Sequence, residues 1–92
     1  MENNIDVNTE LSKLPNIGKV LENQLLKINI KTYGDLKDIG SKQAWLNIRE
    51  IDESACINKL MALEGAIQGV KKQMLSSDTK KDLQQFYRFY KK

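Results

Sequence analysis

Histidine is absent from this 92-residue chain, and cysteine and proline each occur only once. Without histidine, the chain lacks the commonest general base and the commonest metal ligand in proteins. The one cysteine, Cys56, excludes a disulfide within the chain, and its place on an apolar helical stripe predicts a buried structural thiol. Phosphate-loop and dinucleotide-binding motifs are also missing. We therefore expect no catalytic residue, no metal site and no cofactor, and predict that the protein is not an enzyme.

Long apolar runs are missing as well. No stretch approaches the roughly 18–20 apolar residues that cross a membrane, and the polar, acidic N-terminus is unlike a secretory signal. These absences predict a cytoplasmic protein with no membrane partner. The length favours a single domain, which we place at residues 9–92, after a disordered polar leader at residues 1–8.

Sustained alternation of apolar and polar residues, the mark of β-strands, does not occur either, whereas helical spacing recurs along the whole chain. The pattern predicts a short helix at residues 9–13 and longer ones at about 19–28, 33–39, 42–51 and 54–70, with a last helix beginning near residue 76. Thr32 and Ser41 are predicted N-caps, and Asn29 a left-handed C-cap. Trp45 lies on an apolar stripe and is predicted to be in the core. The fold class is all-α, a compact bundle of five to six short helices.

The single proline belongs to a five-residue turn that runs from Leu14 to Gly18. Pro15 ends an arriving helix because its ring fixes φ and removes an amide donor. Ile17 is apolar in a polar turn and is predicted to point inward, while Gly18 tolerates close approaches that other residues resist. A helix, a tight turn and a second helix form a helix-hairpin-helix, in which amides at the start of the second helix can face a phosphate.

Small residues interrupt the apolar helix predicted at residues 54–70. Two glycines inside a helix cost roughly 1 kcal/mol each relative to alanine, so a compensating close contact is expected. That contact lies either within the chain or across a homodimer, and Gly69 is equally consistent with a helix end. The aromatic residues of the last helix either close the core or form a dimer contact. The candidate interface residues are Ala62, Gly65, Ala66, Gly69, Phe86 and Tyr90.

Charge is unevenly distributed along the chain. The net charge is −2 over residues 1–70 and +5 over residues 71–92, and a second basic zone surrounds the hairpin turn. Basic zones favour nucleic acid, although a solvated lysine surface is the more common explanation for a charge run.

Two motifs carry a family resemblance. Pro15-Asn16-Ile17-Gly18 resembles the Pro-Gly-Ile-Gly hairpin of helix-hairpin-helix DNA-binding modules, with Asn16 in place of the first glycine. The run from Leu60 to Gly69, LMALEGAIQG, is similar to the C-terminal domain of the TfoX/Sxy competence regulators. The similarity covers about residues 11–83. Full-length members carry an additional N-terminal α/β domain that this sequence has no room to encode, so an isolated C-terminal domain or a stand-alone relative is expected.

The resemblance implies a bacterial cytoplasmic protein linked to DNA uptake (natural transformation) and to activation of competence genes, acting with other transcription factors. The hairpin turn and its flanking lysines predict weak, non-specific contact with the DNA backbone, with the amides of residues 17–19 at a phosphate. The alternative is a protein–protein interaction or dimerisation module that does not bind DNA. The candidate DNA-backbone residues are Lys13, Asn16, Ile17, Gly18, Lys19 and Lys31.

Overall fold

Five α-helices account for most of the chain in a computed structural model that describes residues 8–90. The helices are α1 (Lys19–Lys27), α2 (Tyr33–Ile39), α3 (Ser41–Ile51), α4 (Ile57–Gln68) and α5 (Ser77–Tyr90). Two 3-10 turns, Leu11–Lys13 and Lys72–Met74, precede α1 and α5. Within residues 8–90 no strand forms beyond one isolated antiparallel bridge. The all-α prediction is confirmed, and the predicted leader lies outside the described residues except for Asn8.

Local hydrogen bonds set the end of α1 and the start of α2. Asn29 follows α1 in a left-handed conformation, with a φ of +71°. The next amide, that of Ile30, turns back to the Leu25 carbonyl at 2.9 Å, which is the Schellman arrangement. The Thr32 hydroxyl then accepts a hydrogen bond from the amide of Asp35 at 3.2 Å and caps α2. Both predicted caps and the predicted bounds of α2 are therefore confirmed.

Two predicted helix starts are wrong. The first helix, predicted at residues 9–13, is only the 3-10 turn Leu11–Lys13. Ser41 is the first residue of α3 rather than its cap, and Gly40 takes the cap position with a φ of +86°. The Ser41 hydroxyl instead donates to the Glu64 carboxylate at 2.7 Å, so it joins α3 to α4.

α4 is shorter at both ends than the sequence pattern predicts. The Asp52 carboxylate accepts hydrogen bonds from the amide of Ser54 at 3.0 Å and from its hydroxyl at 2.6 Å. These bonds hold residues 52–55 in a turn, so the helix begins at Ile57 and not at Ser54. At the other end Gly69 adopts a left-handed φ of +77° and stops the helix after Gln68.

Trp45 lies at the centre of the core and is fully buried, as predicted. Its indole N–H donates to the Cys56 carbonyl at 3.2 Å. The rings of Phe86 and Tyr87 on α5 meet the indole edge to face, with centroids 6.0 and 5.6 Å away. The prediction of a buried thiol at Cys56 is wrong, because the shorter α4 leaves this residue exposed at the N-cap position.

Candidate nucleic-acid interface

The inner face of the hairpin turn is fixed by Asn16. This residue has a left-handed φ of +69°, a conformation that asparagine tolerates better than most residues. Its side-chain amide donates to the Val70 carbonyl at 2.9 Å and, at a longer 3.4 Å, to that of Ala62. Its side-chain oxygen accepts the amide of Lys72 at 3.0 Å. The Asn16 side chain, predicted to help bind DNA, is therefore occupied within the chain.

Gly65 makes room for this contact. A Cβ atom at position 65 would lie 2.5 Å from the Asn16 side-chain nitrogen and 2.8 Å from the Val70 carbonyl oxygen. Real Cβ atoms do not approach other atoms so closely, so the chain can pass here only over a glycine. The glycine that is unfavourable inside α4 is thus offset by packing of the hairpin turn against the end of that helix.

The small residues predicted as an interface are used inside the chain. Ala62, Gly65 and Ala66 are buried in the isolated chain. Of the two predicted alternatives, a contact within the chain or across a homodimer, the structure therefore has the contact within the chain. Gly69 is the helix end described above, and Phe86 packs on Trp45 while its ring also meets that of Tyr90 at 4.8 Å.

The outer face of the hairpin turn is the start of α1. Gly18 is its N-cap residue, and no side chain caps the helix. The amides of Gly18, Lys19 and Val20 have no acceptor among residues 8–90, and all three residues are exposed. The amide of Ile17 differs from the prediction, because it donates within the turn to the Leu14 carbonyl at 3.4 Å. The Ile17 side chain is buried, as predicted.

Within residues 8–90, nothing requires a glycine at position 18. Its φ of −93° and ψ of −175° are ordinary extended values that any residue adopts. A Cβ atom there would meet no atom of residues 8–90 within 4 Å. These residues consequently leave the space in front of the first amides of α1 open to another molecule.

The predicted lysines divide into two groups. Lys13 and Lys19 are exposed and flank the turn on either side in the chain. Lys31 lies beyond the C-terminal end of α1, and α1 places its last residue about 12 Å from its first. The Lys31 amide there donates to the Asp35 carboxylate at 3.0 Å. The structure therefore does not place Lys31 at the start of α1.

Two further lysines, which sequence reasoning did not include, lie beside the hairpin turn. The bond from the Lys72 amide to Asn16 joins residues 56 positions apart. It brings Lys71 and Lys72 next to the turn, and Lys71 is exposed. The sequence contains the charge run but gives no signal that it meets the hairpin, because the contact depends on how α4 packs.

A separate polar cluster holds the side of α1. The Gln24 side-chain amide donates to the Asp52 carboxylate at 2.8 Å, and the Lys59 ammonium contacts both, at 2.6 Å from Gln24 and 3.2 Å from Asp52. Hydrogen bonds from the Ser54 hydroxyl, Gln24, the Ser54 amide and Lys59 hold the pKa of Asp52 well below its usual range. This cluster fixes the position of α1 against the α3–α4 connection.

Residues 8–90 contain neither a candidate metal site nor a helix that could span a membrane. Within this part of the chain no three histidine, cysteine, aspartate or glutamate side chains gather into a group that suits a metal ion. In the same range, none of the helices has both the length and the apolar character that crossing a bilayer demands.

Comparisons with known proteins agree with this fold. A family model of the TfoX C-terminal domain matches residues 7–87. A crystal structure of an uncharacterized protein from Listeria monocytogenes, in a triclinic form, is 51% identical, with a TM-score of 0.87 over 88% of this chain and 92% of that one. A protein of unknown function from the same organism, in a tetragonal form, is 52% identical, with a TM-score of 0.84 over 86% and 96%. No protein of curated function matches the chain.

Proposed function

This chain belongs to the TfoX C-terminal domain family, and on that premise we propose that it is a non-enzymatic DNA-binding accessory domain related to the regulators of natural competence. The hairpin holds the DNA backbone at the start of α1. A phosphate oxygen accepts hydrogen bonds from the amides of Gly18, Lys19 and Val20. The ammonium groups of Lys13 and Lys19 neutralise its charge.

The open space at Gly18 is the observation that carries the proposal. The first amides of an α-helix have no partner inside the helix, and its dipole makes that end positive. Capping side chains often satisfy such amides, but α1, like α3 and α4, has none among residues 8–90. A glycine at the N-cap, which nothing in the surrounding chain demands, leaves room for a phosphate to reach all three amides.

Contacts of this kind determine how binding depends on salt. Amides and lysines that meet phosphates position a protein on DNA without reading its sequence. Each lysine–phosphate contact adds about 0.9 to the slope of log affinity against log salt concentration. We therefore expect weak binding to any duplex, which falls steeply as salt rises above about 50 mM.

Gly18→Ser tests the proposal, because its effects on stability and on binding have opposite signs. The backbone at Gly18 already has N-cap geometry, so a serine hydroxyl there accepts an α1 amide and stabilises the fold by a few tenths of a kcal/mol. The same hydroxyl competes with the phosphate. Loss of one charge-assisted hydrogen bond weakens DNA binding roughly tenfold, measured by fluorescence anisotropy at about 50 mM salt.

Cys56→Ser provides the matched control. Cys56 is also an exposed N-cap residue without a capping side chain, but it lies at the start of α4. This substitution adds a similar cap and leaves DNA binding unchanged. Absence of wild-type binding near 50 mM salt, or equal affinities of Gly18→Ser and wild type, contradicts the phosphate role of α1.

The alternative function is a protein-interaction or dimerisation module, which was suggested mainly by the small residues of α4. The small-residue stripe that suggested a dimer packs inside the chain at Gly65. An exposed aromatic residue, Phe89 on α5, remains on the surface. Sedimentation at several protein concentrations tests this alternative, because a stable dimer would show twice the mass of the chain and a weaker one a mass that rises with concentration.

A further inference from the structure

The segment that follows α4 is bound directly to the hairpin turn. The Asn16 side chain bonds to the Val70 carbonyl at 2.9 Å and to the Lys72 amide at 3.0 Å. Both contacts use backbone atoms of the segment, so the backbone beneath its lysine side chains is held in place. The 3-10 turn Lys72–Met74 continues from this point.

The path of this segment is fixed at both of its ends. Gly69 reverses the chain in a left-handed conformation, and the Val70 amide bonds back to the Gly65 carbonyl at 2.9 Å. The segment then crosses Gly65, where a Cβ would come within 3.3 Å of the Lys72 Cα. Farther on, the Lys80 ammonium donates to the Gln73 carbonyl at 3.1 Å.

Lysines are the only charged residues in the two short stretches that meet at Asn16. Residues 11–21 contain two lysines, and residues 65–77 contain two more, with no aspartate or glutamate in either stretch. Directly outside the ends of the two stretches stand Glu10, Glu22, Glu64 and Asp78. The Asn16 contact thus brings two pairs of lysines to one turn, where an acidic residue, Glu22, lies in the first turn of α1. Such a group of lysines attracts polyanions.

We infer that Lys71 and Lys72 form the second half of a two-part DNA-backbone surface, whose first half is Lys13 and the start of α1. This inference rests on the proposed function and extends it to a segment 54–56 residues away in sequence. The partner is duplex DNA, since its dense, regular phosphates can engage two groups of cations that one rigid connection holds together. Lys71 and Lys72 contact phosphates and read no bases.

The double variant Lys71→Gln/Lys72→Gln tests the inference in the full chain. Removal of two phosphate contacts lowers the salt slope of duplex binding by about 2 and weakens the affinity at least tenfold near 50 mM salt. The thermal midpoint stays close to that of wild type, because the bonds to Asn16 use the backbone of this segment rather than its side chains.

Lys27→Gln/Arg88→Gln is the control with the same loss of charge. Both residues are exposed. Lys27 ends α1 about 12 Å from Lys19, and Arg88 lies about 16 Å along α5 from its first residue. The control loses little affinity. If wild type binds DNA and the two double variants behave alike, the second half of the surface is refuted while the role of α1 stands. If wild type does not bind, both are refuted.

Discussion

Two glycines border the hairpin turn: Gly65 on α4 packs against its inner face, and Gly18 lies on its outer face at the start of α1. Different constraints act at the two positions. At Gly65 a side chain would collide with Asn16 and Val70, so the chain itself demands the glycine. At Gly18 a Cβ would touch no atom of the described residues, and the backbone angles are ordinary. The polar groups of the inner face therefore have partners within the molecule, whereas the first amides of α1 on the outer face have none among residues 8–90.

The contrast separates a glycine that packing requires from one that it does not. Gly65 is explained by the contacts of the folded chain. Gly18 is not, and it lies beside exposed lysines and amides that have no partner among residues 8–90, which is why the proposed phosphate site is placed there. The hairpin motif alone does not make this distinction, because Asn16 and Gly18 stand two positions apart and both belong to the motif.

Gly65→Ala is expected to have the largest effect. The new methyl group displaces Asn16 or Val70, and overpacking of this kind costs about 1–3 kcal/mol beside the loss of hydrogen bonds. Alanine has a higher helix propensity than glycine, which offsets roughly 1 kcal/mol of this loss. We expect a net loss of about 2–3 kcal/mol and a thermal midpoint lowered by roughly 10–20 °C, measured by circular dichroism.

Gly18→Ala is the matched control for that substitution, with the same atom added on the outer face. Its free energy of unfolding stays within about 1 kcal/mol of wild type, since the lost N-cap preference and the reduced entropy of the unfolded chain oppose each other. If Gly65→Ala and Gly18→Ala lowered the free energy of unfolding equally, the proposed difference between the two faces would be contradicted.

Asn16→Gly isolates the hydrogen bonds of the inner face. Glycine keeps the left-handed backbone of Asn16 but leaves the Val70 carbonyl and the Lys72 amide without their partner. We expect a loss of about 2 kcal/mol in urea unfolding. Asn29→Gly is the control, because Asn29 has the same backbone conformation and an exposed side chain. Its stability changes by less than about 0.5 kcal/mol, and a larger loss there would show that the backbone, rather than the amide, matters.

Lowering the pH is expected to reduce the stability of the fold by a smaller amount. The group responsible is the Asp52 carboxylate beside α1, which is part of neither face of the turn. The pKa of Asp52 is lower in the folded chain than its ordinary value, chiefly because of the Ser54 hydroxyl and then Gln24. Its ionised form therefore stabilises the fold fully above the ordinary aspartate pKa of about 3.9, and this contribution is lost as the pH falls below that value.

Thermal midpoints of wild type and Asp52→Asn between about pH 6 and pH 2 measure this contribution, since the midpoints differ most at the upper end and converge at the lower. Ser54→Ala, which removes the first donor, falls between them. Parallel curves over the whole range would contradict the role of the carboxylate. The Gly18 amide signal in NMR spectra reports whether the outer face changes meanwhile.

Helix ends show how far sequence reasoning reaches in this molecule. Thr32, Asn29 and the bounds of α2 were predictable because each depends on atoms within about five residues. The start of α4 was misplaced by three residues because the Asp52–Ser54 turn competes with the helix, and that error put Cys56 on the wrong surface.

The candidate site was predictable only in part. The hairpin turn, the inward Ile17 and the exposed start of α1 follow from proline, glycine and apolar spacing. Three features could not be predicted, because they depend on where distant segments meet. The Asn16 side chain is bonded within the chain, Lys31 lies away from the start of α1, and Lys71 and Lys72 lie beside the turn.

The sequence by itself determined the order of the five α-helices, the turn at Pro15 and the buried Trp45, because short-range sterics and apolar spacing act within a few residues. Only the tertiary structure decided which face of that turn stays open. The bonds of Asn16 span 46–56 residues, and they form only when α4 packs against the hairpin and Gly65 lets the two backbones approach.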